Sequence, residues 1–173
     1  MNAATTTLPA LGRARPTFGS VAESELDAVH GYLLFLTGNR DVAEDLTGAT
    51  FEKAFRTWRR FDPRRGTARA WLCGIARNVA LDHFRAERRR VRREDRYARD
   101  IPAVVEPAWG DGGVASALRE LTPAEREVVA LRVVLELDGP TAARILGISA
   151  TACSTRLSRA LKRLEELMSD VRV

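Results

Sequence analysis

The stretch WLCGIARNVALDHFRAERRR, Trp71 to Arg90, decides how this chain is read. Starting one turn earlier, Ala68, Trp71, Leu72, Ile75, Ala76, Val79, Ala80 and Phe84 recur at spacings of three and four, the period of a buried helix face. Arg85, Arg88, Arg89 and Arg90 crowd the last turns, while Arg77, Asn78 and Asp82 stand between apolar positions where core packing does not require them. One rod therefore leaves an apolar core and ends as a cationic projection. That shape suits a protein that holds a nucleic-acid backbone in fixed register.

Upstream, Val21–Leu36 offers Val29, Tyr32, Leu33 and Leu36 on one face and stops at Gly38-Asn39. Asp41 and Glu44 form a capping-box pair for a helix from Asp41 to Arg60, with Val42, Leu46, Thr50, Ala54 and Trp58 aligned at spacing four. Phe61-Asp62-Pro63-Arg64-Arg65-Gly66 breaks that helix, and Thr67 caps the next. Residues 1–20 read as a mobile tail and residues 21–93 as one helical unit. Between Glu94 and Gly113 the periodicity collapses: Pro102, Pro107, Gly110, Gly112 and Gly113 interrupt it, and five acids face two arginines. This segment, 94–113, reads as a flexible acidic linker.

Residues 114–173 form a second helical unit. Thr122-Pro123-Ala124-Glu125 combines a cap, a first-turn proline and a capping-box Glu, and Val128, Val129, Leu131, Val134 and Leu135 supply its apolar face. Asp138-Gly139 turns the chain, Pro140 opens a short helix, and Ser149 caps a last helix with Cys153, Leu157, Leu161, Leu164 and Met168 directed inward. Ala143, Gly147 and Cys153 have helix-turn-helix spacing: a small residue where helices approach, a turn glycine, and an apolar plug. Outward stand Thr151, Ser154, Thr155, Arg156, Arg159, Lys162 and Arg163. Hydroxyls and guanidinium groups near a helix start suit base edges and phosphates in a major groove; the plainer reading is a solvated helix face. The fold class is thus all-α, two helical domains joined by the linker.

Composition bounds the rest. The chain has 173 residues, 45% hydrophobic and 29% charged, with a formal net charge of +5. All basic residues except Lys53 and Lys162 are arginine, which fits either phosphate-seeking forks or a GC-rich coding bias, so each arginine is judged by position. Cys73 and Cys153 lie far apart, and His30 and His83 have no ligand spacing to them. Neither a metal site nor any other cofactor is therefore expected. No nucleophile–base set or phosphate loop points to an enzyme. No apolar run approaches a membrane span and the N-terminus lacks signal-peptide character, so a cytoplasmic location is expected.

Asp41–Arg85 resembles region 2 of extracytoplasmic-function (ECF) sigma factors of bacterial RNA polymerase, and Leu121–Leu167 resembles region 4 of the same family. The order and spacing of the two blocks match as well. The resemblance implies a dissociable polymerase subunit that recognises −10 and −35 promoter elements and promotes DNA opening, with no catalysis of its own. It assigns Asp41, Glu44, Asp45, Leu46 and Phe51 to docking on the polymerase core. It assigns Phe61, Arg64, Arg65, Thr67, Arg77, Asn78 and Arg85 to the −10 element, where a flipped base is held near the loop. Ser149, Thr151, Ser154, Thr155, Arg156, Arg159 and Arg163 fall to the −35 element.

The implied partners are the polymerase core, through its β′ clamp helices and β flap, promoter DNA, and an anti-sigma factor, without direct membrane insertion. In such proteins the linker threads the polymerase cleft as a nucleic-acid mimic; composition alone favours a plain solvated joint. The chain departs from the family pattern at Gly48-Ala49, where a Gln-Glu pair is usual, and at Ala152 and Ser154, where Thr and Lys are common. A free-standing helix-turn-helix regulator is the alternative, and it leaves the Trp71–Arg90 helix without a task.

Overall fold

The computed structural model describes residues 16–94 and 113–170. Among these residues every regular element is helical: α1 (Phe18–Thr37), α2 (Arg40–Thr57) running into a short 3-10 turn, α3 (Ala68–Glu94), α4 (Gly113–Glu120), α5 (Pro123–Val129) running into a π-helical segment, α6 (Gly139–Leu146) and α7 (Ala150–Asp170). The expected acidic linker lies outside the described residues, apart from Glu94, which ends α3, and Gly113, which begins α4.

Local chemistry sets the boundaries. Thr17 caps α1, its hydroxyl oxygen accepting from the Ser20 amide at 3.2 Å, so residues 17–20 belong to the first helix and not to a tail. Gly38 ends α1 at φ 62°, a left-handed conformation that glycine adopts without a Cβ penalty. The expected Asp41–Glu44 capping box does not form. Asn39 is the cap, its Oδ1 accepting from the Val42 amide at 3.0 Å, and Glu44 instead receives the Arg40 guanidinium. The Thr122–Glu125 capping box is present in both directions, and Thr67 caps α3 as expected, accepting from the Ala70 amide at 3.2 Å.

Two inward assignments shift. After α5 the chain inserts a π turn over Ala130–Val134, with the Leu135 amide donating to the Ala130 carbonyl. The extra residue rotates the following side chains off the helical stripe. Val134, expected inside, is half exposed beside Val133, while Leu135 and Leu137 are buried. On α7 the buried line runs through Cys153 and Ala160, and Leu161 lies outside it.

The two helical units share one core. Val29, Tyr32 and Leu33 of α1, Ala43 and Ala54 of α2, and Leu72, Cys73 and Ala76 of α3 join Val128, Leu131, Ala142 and Cys153 of the second unit in a single apolar cluster. Within it, the buried hydroxyls of Thr47 and Thr50 donate to the Ala43 and Leu46 carbonyls at 2.6 and 2.7 Å, which removes the cost of burying them unpaired. Contacts of α1 with α5 and the π segment, and of α3 with α6, close the seam. The sequence reading of two modules on a linker did not anticipate this packing.

Candidate nucleic-acid interface

The second unit builds a helix-turn-helix. Gly147 ends α6 at φ 69° and the Ile148 amide reaches back to the Ala143 carbonyl at 3.0 Å, a closing pattern that swings the chain sharply into α7. Buried Ala143 and Cys153 occupy the crossing, and the Ser149 hydroxyl oxygen accepts from the Ala152 amide at 3.1 Å. The turn thereby holds α7 with Ser149, Thr151, Ser154, Thr155, Arg159 and Arg163 exposed and Arg156 half-buried. Ser149, Thr151, Thr155, Arg156 and Arg159 also line an open cleft with Thr122 and Glu125. Hydrogen bonds from Thr122 hold the Glu125 carboxyl below the usual carboxylate range, and Arg163 and Arg156 reinforce the effect.

In the first unit the loop between α2 and α3 is pinned at both ends. The Asp62 carboxylate accepts from the Arg64 amide at 3.0 Å, and Thr67 starts α3. Arg64, Arg65 and Thr67 are exposed, as are Asn78 and Arg85 on α3. Phe61 differs from the expectation of an available base-stacking ring. It is 5% exposed and stacks on Trp58 at 4.8 Å, with Trp71 at 5.5 Å completing the cluster. Its place is under the loop, where aromatic packing fixes the loop backbone. Arg85 pairs with Asp82 at 3.1 Å and Arg90 with Glu87 at 2.5 Å, surface pairs weak enough for a phosphate to displace.

On α2, Asp41, Glu44 and Asp45 are exposed on the outward face, whereas Leu46 is 7% exposed and belongs to the core. Phe51 is half-buried with its ring 6.4 Å from Phe18. Phe55, which the apolar pattern sets alongside the buried line of α2, is instead 66% exposed on the same outward face, with its ring 5.2 Å from Phe18; its step of seven from Gly48 was the available signal. A Cβ added at Gly48 meets nothing within 4 Å. Gly48→Ala is therefore expected to stabilise the chain by about 0.5–1 kcal/mol through helix propensity, visible as a small rise in thermal midpoint.

Between the units, Arg77 of α3 grips Glu127 of α5 with two bonds, Nε to Oε1 at 2.7 Å and Nη2 to Oε2 at 3.4 Å. The fully buried Tyr32 adds its hydroxyl to the same carboxylate at 3.4 Å. Burial and the neighbouring Glu127 carboxylate push the Tyr32 phenol well above its ordinary range. Cys73 is likewise pushed up to about 12, chiefly by burial, so it is a neutral packing group and not a reactive thiol. Cys153 is buried too. Among the described residues no cluster of His, Cys, Asp or Glu could hold a metal, and no helix is long and apolar enough to cross a membrane.

A groove of about 810 Å³ opens beside the Arg77–Glu127 contact, floored by Leu36, Ala80, Leu81, Phe84 and Val91 and rimmed by Arg85, Arg88 and Arg92. Among the described residues every regular element is helical, with a helix-turn-helix in one unit and a long, arginine-rimmed helix in the other, an arrangement suited to a polyanionic partner. The comparisons define the chain further. Residues 21–90 match sigma-70 region 2 and residues 113–164 match sigma-70 region 4. The RNA polymerase sigma factor CarQ of Myxococcus xanthus is 31% identical over 91% of this chain and 92% of its own length. The ECF RNA polymerase sigma factor BldN of Streptomyces coelicolor is 31% identical over 88% of this chain, which spans 61% of BldN. Among solved structures, the sigma factor RpoE in complex with the anti-sigma factor NepR from Bartonella quintana superposes with a TM-score of 0.75 at 28% identity, covering 88% of this chain and 96% of that one. The chain belongs to the sigma-70-type sigma factors, in their ECF group.

Proposed function

We propose that this chain is a dissociable specificity subunit of bacterial RNA polymerase that recognises −10 and −35 promoter elements and assists DNA opening, with the chemistry of RNA synthesis residing in the polymerase. The observation that carries this reading is the coexistence, on one chain, of two outward DNA-suited faces on separate helical units: Arg64, Arg65, Thr67, Asn78 and Arg85 on the first, and Ser149 to Arg163 on the second. Asn78 offers an amide donor and acceptor to a base edge, while the arginines supply phosphate contacts. The exposed acids Asp41, Glu44 and Asp45 are the docking residues for the polymerase core through its β′ clamp helices, with Phe55 as an apolar anchor beside them. The second unit engages the β flap, and the protein acts in the cytoplasm.

The groove beside Arg77 fits an amphipathic helix of an anti-sigma factor, its apolar side on Phe84 and Val91 and its acids against Arg85, Arg88 and Arg92. The apolar floor and arginine rim support this, as does the RpoE relative, solved with an anti-sigma factor bound. Run-off transcription with purified core polymerase tests the central proposal: the chain is expected to direct starts at a two-element promoter. In footprints of that complex, Arg159→Ala is expected to weaken −35 protection by about 1–3 kcal/mol if the guanidinium is bidentate to a base. An unchanged footprint removes Arg159 from the readout.

A further inference from the structure

Resting on that promoter-reading assignment, we infer that the free chain is held in a closed, DNA-refusing state by Glu127, whose carboxylate occupies the phosphate-binding guanidinium of Arg77. Three observations converge. First, Arg77 directly precedes Asn78 on the proposed −10 face, yet its fork is committed to a carboxylate from the other unit, with the two side chains only 21% and 12% exposed. A carboxylate and a phosphate present the same paired oxygens to a guanidinium, so the two compete for one fork.

Second, the second unit roofs the −10 loop. A recess of about 300 Å³ beside Arg65, Gly66 and Thr67 is lined on its other side by Arg144 and Ile145 of α6. The Arg144 guanidinium stands 3.8 Å from where a Cβ on Gly66 would lie. A base turned out of the duplex toward this loop would share that recess with α6.

Third, the dimensions forbid simultaneous reading. Elements centred near −10 and −35 lie roughly 25 base pairs apart, about 85 Å along B-form DNA. A packed helical body of this size is about 40 Å across. Both faces therefore cannot meet their elements until the seam between α1, α3 and the second unit parts. The chain between Glu94 and Gly113 reaches at most about 65 Å when extended, so the covalent tether permits that separation.

Glu127 thus serves as an internal phosphate mimic, and the Tyr32 hydroxyl positions its carboxylate. The closed state lowers the apparent DNA affinity of the free chain by the fraction of molecules that are open. Binding to polymerase, which fixes the two units apart, removes the competition.

The test uses the full chain in three forms: wild type, Glu127→Gln, and the exchange Arg77→Glu with Glu127→Arg. Small-angle scattering reads the closed state without DNA, and circular dichroism verifies helicity. Fluorescence anisotropy with a labelled single-stranded oligonucleotide, taken from the −10 element of a run-off-mapped promoter, reads the competition. Glu127→Gln is expected to expand the free chain and to raise oligonucleotide affinity about tenfold. The exchange is expected to restore the compact radius while leaving oligonucleotide binding lost, because the guanidinium has moved to α5. A Glu127→Gln chain as compact as wild type with affinity within twofold overturns the proposal, as does expansion without a gain in affinity. If Glu127→Gln loses helicity, the exchange decides: an expanded radius overturns the latch. Failure of the transcription assay with a normal scattering result would instead count against the promoter assignment and leave the latch between the units standing.

Discussion

Asn78→Ala is expected to reduce open-complex formation roughly 5- to 150-fold, equivalent to about 1–3 kcal/mol, the worth of one well-placed amide–base contact. The residue is exposed on α3, one position from Arg77 and turned away from the buried line of Leu72 and Ala76. Its side chain has no role in the core cluster, so the substitution leaves folding intact, and alanine even improves helix propensity. The check is permanganate reactivity of the melted promoter, run beside a polymerase co-elution assay. Opening is expected to fall while co-elution stays unchanged, because the α2 acids proposed for core docking lie on a different face. Equal loss in both assays would assign Asn78 to polymerase binding instead.

Leu72→Ala, on the opposite side of the same helix, is expected to act on stability. Leu72 is 0% exposed and sits where α1, α2 and α3 meet. Truncation removes three carbons from a close-packed site, and the surrounding backbone of three helices relaxes only partly. The expected loss is about 2–5 kcal/mol, which lowers the thermal midpoint by roughly 4–20 °C for a chain of this size. Thermal denaturation followed by circular dichroism reads it directly. A midpoint within about 2 °C of wild type would mean that this helix does not pack as described.

The elements that were legible in the sequence are those written in local chemistry. The apolar period of α3, the Thr122–Glu125 box, the Gly38 and Gly147 stops and the Ser149 cap each involve residues within a turn of one another, and the structure contains each of them. Where two local signals competed, the reading chose wrongly: Asn39 and Asp41 are both good caps, and only the path of the chain out of Gly38 selects Asn39. The π turn at Ala130–Val134 has no compositional mark, so the helical period turns Val134 inward, whereas in the fold it lies outside.

The site was legible to the extent that it is a surface. Hydroxyls and arginines on α7 and the loop residues Arg64, Arg65 and Thr67 are exposed as their pattern implies. What escaped is whatever depends on the second unit meeting the first. Arg77 and Glu127 are 50 residues apart, and the sequence pattern gives Arg77 to DNA and Glu127 no role. No periodicity announces that they face one another across a seam. Phe61 likewise reads as a loop aromatic available for stacking until Trp58 and Trp71 are seen to enclose it.

The central claim is that this chain confers promoter selectivity on RNA polymerase. The most direct measurement is a run-off transcript map made with purified core polymerase, with and without the full chain, over a genomic library of its source. The account predicts new, discrete start sites that appear only with the chain, preceded by two shared sequence elements at fixed spacing, and that weaken with Asn78→Ala. Start sites identical with and without the chain, alongside duplex DNA binding by the chain alone, would contradict it and leave a free-standing helix-turn-helix regulator in its place.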